Sequence, residues 1–216
     1  MIGRMISITD SSLQSAIDAL SLPDITIGHR LILPGDEHAL TPEEARGISS
    51  SVVERRRASG AARIVARQLL GRLGYIECPL PRAPSGAPIW PAGVIGSLAH
   101  DRRVAVAAVA ASRAIGALGI DVEPAEPLPI ELLDIVATPD ERSKIGDDPF
   151  SGRLLFAAKE AVYKAVYPLD RTFLEHHDVQ IDFSECKGIV CNGRVLELRY
   201  CISTHLIALA FLPAPQ

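Results

Sequence analysis

Two carboxylates separated by a single residue, Asp121 and Glu123 in the run Gly119-Ile120-Asp121-Val122-Glu123-Pro124, are the first feature with chemical consequence. On a strand, alternate side chains share a face, so both acids project together while Val122 points into the opposite layer. Carboxylates grouped in this way make half of a site for a hard cation such as Mg²⁺, which keeps several waters and completes its shell with substrate phosphates. A solvated acidic strand end before Pro124 is the plain alternative.

A second group lies on a helical stretch, Phe156-Ala157-Ala158-Lys159-Glu160-Ala161-Val162-Tyr163-Lys164-Ala165. Phe156, Glu160 and Lys164 follow one another at i, i+4 and so form one stripe, with Lys159 about 100° to the side. Alone, Glu160 and Lys164 make an ordinary surface ion pair. A third element, Gly96-Ser97-Leu98-Ala99-His100, offers backbone amides and an imidazole that either faces a phosphate or serves structure. Three acids, two lysines and this turn together describe a metal-assisted phosphate-ester site. Arg55, Arg56, Arg57 and Arg63 add a basic helix; it is either a solvated face or a clamp for a multiply phosphorylated ligand, since guanidinium binds phosphate bidentately.

These residues require elements to hold them. Residues 25–33 read as a strand, and Thr41-Pro42-Glu43-Glu44 combines an N-cap Thr, a Pro at the first helical position and a Glu at N3. Residues 50–73 are Ala-, Arg- and Leu-rich at helical spacing and stop at Gly74, with Gly60 and Gly71 as points of interruption. The proline-rich segment 78–96 is a linker or an ordered loop, and Trp90 argues for order. Runs at 94–99, 104–111 and 115–122 read as adjacent antiparallel strands. A second start, Thr138-Pro139-Asp140-Glu141, precedes a broken helical region and a helix over 148–167 that ends at Pro168. Runs at 179–183, 194–200 and 202–211, with a turn at Asn192-Gly193, close the chain as sheet. The offset between the two Thr-Pro-acid-acid starts also maps Arg63 onto Glu160 and Arg67 onto Lys164, which implies two similar halves sharing a cleft.

The 216 residues, 48% apolar, suffice for one large or two small packed domains. With 22 basic against 26 acidic residues the net charge is −4, so no overall positive field recruits nucleic acid, and an anionic ligand must meet a local patch. No apolar run is long enough to span a bilayer, and the first residues lack the apolar core of a signal peptide; a cytoplasmic protein without nucleic-acid or membrane partners is expected. Cys78, Cys186, Cys191 and Cys201 match neither a zinc nor a redox spacing and read as reduced packing residues.

The pairing of Gly-x-Asp-x-Glu at 119–123 with aromatic-x-x-Lys-Glu-Ala-x-x-Lys at 156–164 resembles the signature of the 4′-phosphopantetheinyl transferases. The segment from Gly86 through Trp90 to His100 is similar to the enterobactin-synthetase-component-D branch of the Sfp-type group, and the likeness covers about residues 30–210. It departs from the family's habit at Ala99, where Ser or Thr is usual, at Ser85, where Lys or Arg is common, and at Ser59-Gly60 in place of Glu-Phe.

The resemblance implies an α+β monomer of two pseudosymmetric α/β halves, 1–113 and 114–216, each a small, mostly antiparallel sheet packed on a long helix, with the site in the cleft between them. It implies transfer of the phosphopantetheine arm of coenzyme A to a serine of an apo acyl, peptidyl or aryl carrier protein, releasing adenosine 3′,5′-bisphosphate. Secondary metabolism, as in non-ribosomal peptide or siderophore synthesis, is the mildly favoured setting. By motif, Asp121, Glu123, Glu160 and the Val122 carbonyl would hold Mg²⁺, with Mn²⁺ the other candidate ion. Glu160 would also act as general base and Lys164 would stabilise phosphate charge, while Asp121, Glu160 and Lys164 also face coenzyme A. Arg55 (or Arg56), Arg63, His100 and Lys159 would hold its phosphates, helped by Ser97 and the backbone at Ala99. Arg82 either supplies the cation missing at Ser85 or is a solvated loop residue. The competing classes are a coenzyme A-binding regulator without turnover and a Mg²⁺-dependent nuclease. The latter fits poorly because Lys159-Glu160 falls on a helix rather than a strand.

Overall fold

The computed structural model describes residues 9–20, 22–46, 48 and 52–215; the expectations for the first residues and for a helix beginning at residue 50 lie outside these. In chain order the elements are α1 (Ser11–Ala19), β1 (Ile25–Leu31), α2 (Pro42–Arg46), α3 (Val53–Arg72), β2 (Val94–His100), β3 (Val104–Ala111) and β4 (Ile115–Pro124), followed by α4 (Ile130–Val136), α5 (Pro139–Lys144), α6 (Ser151–Asp170), β5 (Val179–Asp182), β6 (Lys187–Val190), β7 (Val195–Ile202) and β8 (His205–Pro213). The short α1, capped by the Asp10 carboxylate on the amides of Ser12 and Leu13, and the four-residue β6 have no counterpart in the sequence reading.

The strands form two antiparallel sheets, β1-β3-β2 and β4-β8-β7-β6-β5. The run at 115–122 therefore does not pair with the run at 104–111. β3 is buried along nearly its whole length and takes β1 and β2 on its two sides, so β4 pairs with β8 and opens the second sheet. The short connection at 112–114 permits either course, and only the packing of the whole chain decides between them.

Alternation along the strands distributes three apolar layers. One face of each sheet meets the other: Val104, Val106 and Ala108 of β3 pack with Leu118, Ile120 and Val122 of β4, and Leu13 and Ile17 of α1 close the edge. The outer face of the first sheet, including Ala107 and Val109, is covered by Val65, Ala66, Leu69 and Leu70 of α3. The outer face of the second, with Leu196, Leu198, Ala208 and Ala210, is covered by Ala157, Ala158, Ala161, Val162 and Ala165 of α6. This is an α+β arrangement of two sheets, each backed by a long helix.

Two glycines set how closely these layers approach. A Cβ at Gly119 would lie 1.9 Å from the Ala161 carbonyl oxygen and 2.6 Å from the Ala165 amide, so only glycine lets α6 rest directly on β4. At Gly60 a Cβ would lie 1.9 Å from the Asp36 carbonyl; the residue admits the 3₁₀ turn Asp36–Ala39 against α3, and the helix is continuous through it and through Gly71. α6 likewise continues past Pro168 to Asp170 and ends with Arg171 in the left-handed region, φ 57°. A proline in the last turn removes one hydrogen bond at an end where few follow, so the helix is not stopped there.

The segment 78–93 is ordered. Leu80 is fully buried, the amide of Ile89 donates to Pro81, and Trp90 stands against Gly96.

Candidate active site

β4 carries Asp121 and Glu123 on its α6 side, and Val122 sits in the core between the sheets, as strand alternation requires. Because α6 rests on Gly119, Lys164 reaches Asp121, with Nζ 2.5 Å from Oδ1. The other oxygen, Asp121 Oδ2, is buried and has no hydrogen-bond partner. Burial holds the Asp121 carboxyl above its ordinary pKa even with Lys164 alongside. Glu123 is raised as well, first by burial and then by the charge of Asp121, and its Oε2 accepts from Arg153 Nη1 at 3.0 Å. Glu160 forms no salt bridge among the described residues. Burial lifts its pKa, Lys164 opposes the lift, and Asp121 adds to it.

The Asp121 charge thus disfavours ionisation of both Glu123 and Glu160, and its own buried Oδ2 is unpaired, a condition that a cation relieves. Among the described residues no group of three or more His, Cys, Asp or Glu side chains is gathered tightly enough to hold a metal unaided. An ion that takes one or two carboxylates and fills its shell with substrate phosphates and water fits this donor set. Asp121 and Glu123 would hold it, with Glu160 facing it from the helix.

The cations line two adjoining hollows, one between the halves and one within the first half. The larger, about 450 Å³, is walled by Arg82, Gly86, Trp90 and Ser97 on one side and Tyr163 and Lys164 on the other. The second, about 330 Å³, is lined by Arg55, Ser59, Arg63, Arg82, Leu98 and His100, so Arg82 and Leu98 belong to both. Arg55 is exposed and faces the hollow, while Arg56 is not among its lining residues and Arg57 pairs with Glu37 at 3.0 Å. This fixes the helix register that sequence left open. Arg82 donates from Nε to the Gly86 carbonyl at 3.0 Å and stands in the cleft. Ser97 is 4% exposed on the wall, and the Ala99 side chain is turned into the inter-sheet core.

His100 opens onto the hollow beside Lys164; the protein around the ring and then the Lys164 charge hold its pKa below the ordinary value. Arg63 lines the same hollow but is only 4% exposed. Its Nε donates to the Leu80 carbonyl at 3.0 Å, and Glu44 lies 3.6 Å away. Much of this guanidinium braces the 78–93 segment.

Lys159 does not reach the cleft. Its ammonium, 1% exposed, gives its three hydrogens to the Val136 carbonyl (2.8 Å), Glu141 Oε2 (2.7 Å) and the His176 carbonyl (2.8 Å), so it has no hydrogen left for a phosphate. The reason is helical phase. One residue before Glu160, the side chain is rotated away from the stripe that carries Glu160 and Lys164. Sequence reasoning missed Arg153, which binds Glu123 and also the Glu126 and Pro127 carbonyls. The available signal was its position two helical turns before Glu160, on the same stripe.

Comparison with known proteins agrees with this geometry. Residues 43–110 match the 4′-phosphopantetheinyl transferase N-terminal domain, and residues 117–210 match the 4′-phosphopantetheinyl transferase superfamily. The chain is 43% identical over 155 residues to the 4′-phosphopantetheinyl transferase Npt of Nocardia iowensis, covering 70% of each. It is 40% identical over 154 residues to the 4′-phosphopantetheinyl transferase Svp of Streptomyces mobaraensis, a match to 68% of this chain and 60% of Svp. Likeness to enterobactin synthase component D of Escherichia coli is lower, 33% over 111 residues, covering 49% of this chain and 52% of that one, so the branch suggested by the Gly86–His100 segment is the more distant relation. The chain belongs to the 4′-phosphopantetheinyl transferase superfamily, the enzymes that activate carrier proteins.

Proposed function

We propose that this chain transfers the phosphopantetheine arm of coenzyme A to a serine hydroxyl of an apo carrier protein in a Mg²⁺-dependent reaction, with adenosine 3′,5′-bisphosphate as the leaving group. The observation that supports it most is the electrostatic grouping around Asp121, whose charge couples to Glu123, Glu160, Lys164 and His100, beside hollows walled by Arg55 and Arg82. A bound divalent ion would neutralise charge on the phosphate under attack and on the departing one.

The chain's own residues supply the rest. Arg55, Arg82 and His100 hold phosphate oxygens, Arg63 firms the wall behind them, and Lys164, set beside Asp121, meets the charge that gathers on the bridging oxygen. Glu160 takes the serine proton, directly or through one water, as the serine oxygen bonds to phosphorus and the bond to the adenosine-bearing phosphate breaks.

The halves are proposed to meet at 113/114, in keeping with the confinement of β1–β3 to one sheet and β4–β8 to the other. A monomer is proposed as well. A reducing, cytoplasmic setting is proposed with it, in keeping with four free cysteines; no described helix is long and apolar enough to cross a membrane.

Intact-mass spectrometry of apo peptidyl and acyl carrier proteins, incubated with this protein, coenzyme A and Mg²⁺ beside a chelated control, tests the proposal. A metal-dependent gain of one phosphopantetheine is expected. Binding of coenzyme A with no gain on any carrier would replace it with a binding-only role.

A further inference from the structure

A polar seam crosses the two halves behind the cleft, and none of the residues considered so far accounts for it. Asp101 directly follows His100. Its Oδ1 accepts the amides of Arg103 (2.6 Å) and Val104 (2.7 Å), which shapes the tight β2–β3 turn. Its Oδ2 lies 3.1 Å from Nε2 of His205, the first residue of β8. The two side chains are only 10% and 4% exposed, so solvent does little to weaken the contact. His205 is in register with Pro124, the residue after Glu123.

The imidazole is braced from behind. Thr204 Oγ1 stands 3.3 Å from His205 Nδ1 and donates to Asp10 Oδ2 at 2.8 Å, and the Asp10 amide donates to His29 Nε2 at 3.1 Å. Residues of the first sheet and α1 are thereby tied to the β7–β8 turn of the second sheet. The charge of Asp101 is felt at both His100 and Glu123, on opposite sides of the cleft.

The cleft's two walls belong to different sheets, so their spacing is fixed only by contacts that cross from one to the other. Most of those are apolar side chains, which tolerate small slips because dispersion is not directional. The buried carboxylate–imidazole contact, by contrast, depends on how its two polar groups are aimed. We propose that Asp101 and His205 are positioning residues for coenzyme A: their contact sets His100 at the correct distance from the Asp121–Glu123 strand end, so that one phosphate chain spans both. This rests on the functional reading above.

The test uses the full-length chain and three variants, H205L, H205Q and D101N. Glutamine keeps a donor near the Nε2 position, leucine removes it, and asparagine preserves the turn acceptor but not the charge. Coenzyme A affinity is measured by calorimetry without carrier, the Michaelis constants for coenzyme A and for the carrier are measured separately, and each variant's melting temperature is recorded. For H205L and D101N the Kd and KM for coenzyme A rise about tenfold, the carrier KM holds within about twofold, and H205Q stays within about threefold of the parent.

A folded H205L or D101N with parental coenzyme A affinity overturns the positioning role while leaving the functional reading intact. So does an equal rise in both Michaelis constants, the mark of general loosening. If H205L fails to fold, D101N and H205Q carry the same expectations. A parent chain that neither binds coenzyme A nor modifies a carrier overturns the functional reading and this role together.

Discussion

Glu44 in the first half and Glu141 in the second occupy the same place in the same device, yet the cations they hold differ. Each is the N3 residue of a capping box begun by a threonine, Thr41 or Thr138, and each returns a side-chain oxygen to that threonine's amide, at 2.8 and 2.9 Å. Each is nearly sealed from solvent, at 0% and 4% exposure. Each also accepts a distant backbone amide, from Leu80 (2.8 Å) or Ile181 (2.7 Å), and an ion pair from the long helix. Glu44 draws on Arg67 at 2.9 Å and Arg63 at 3.6 Å, whereas Glu141 draws on Lys159 at 2.7 Å.

Held by the same device, the two long helices turn different chemistry toward the cleft. α3 offers arginines, and α6 offers Lys164, with Glu160 a turn earlier and close enough to couple to Asp121. The charged residue nearest a capping glutamate is committed to architecture in both halves, Lys159 at Glu141 and Arg67 at Glu44, with Arg63 sharing in part. A motif lysine can therefore belong to the fold, and its neighbour to the chemistry.

Substitutions at these adjacent positions should separate the two roles. E160Q is expected to lower kcat by roughly 10²–10⁴ in the mass-shift assay while the melting temperature holds, because its side chain is only half-buried and stands outside the apolar clusters. Near-parental turnover would take Glu160 out of the mechanism.

K159M leaves Glu141 buried without its cation, and urea unfolding should show a loss of about 3–5 kcal/mol, with the coenzyme A KM of the surviving fold unchanged. A stable K159M with a raised coenzyme A KM would return Lys159 to the phosphate site and end the parallel with Glu44. In G119A the new methyl meets the Ala161 carbonyl, so α6 must lift from β4. A loss of about 1–3 kcal/mol, with a fall in kcat as Lys164 leaves Asp121, is expected by denaturation and assay.

The smallest effect concerns acid. His29, His100 and His176 are all held below their usual value of 6.5, with burial the largest cause for each. Above pH 6.5 both folded and unfolded chains are neutral at these positions and stability is whole. Below it the unfolded chain takes up protons first, so stability falls as the pH descends toward the folded-state values. Two of the three lie in the first sheet, so amide exchange at pH 5 relative to pH 7 should quicken in β1–β3 before it does in β7 and β8. The reverse order would show that the two halves do not differ in this way.

Much of this was legible because it is local. Thr-Pro-acid-acid at 41 and 138 announces a capping box whatever surrounds it, and alternation at 119–123 puts two acids on one face of any strand. What escaped was decided by tertiary packing. The pairing of β4 with β8 rather than β3 depends on which edges the rest of the chain leaves free. The commitment of Lys159 depends on where α5 lands. Arg153 at Glu123 and His205 at Asp101 join residues far apart in sequence, and neither carries a motif. The partition of Arg55, Arg56 and Arg57 follows from helix rotation, which composition does not disclose.

Gly119 has a mechanical consequence as well as a steric one. Where strand and helix touch backbone to backbone, no side chain remains between them to change rotamer, so β4 and α6 behave as one stiff body. The distances among Asp121, Glu160 and Lys164 are then a property of that body, set before any substrate arrives. Compliance in the cleft has to come from the opposite wall, where the proline-rich segment and Arg82 are held by a few loop hydrogen bonds.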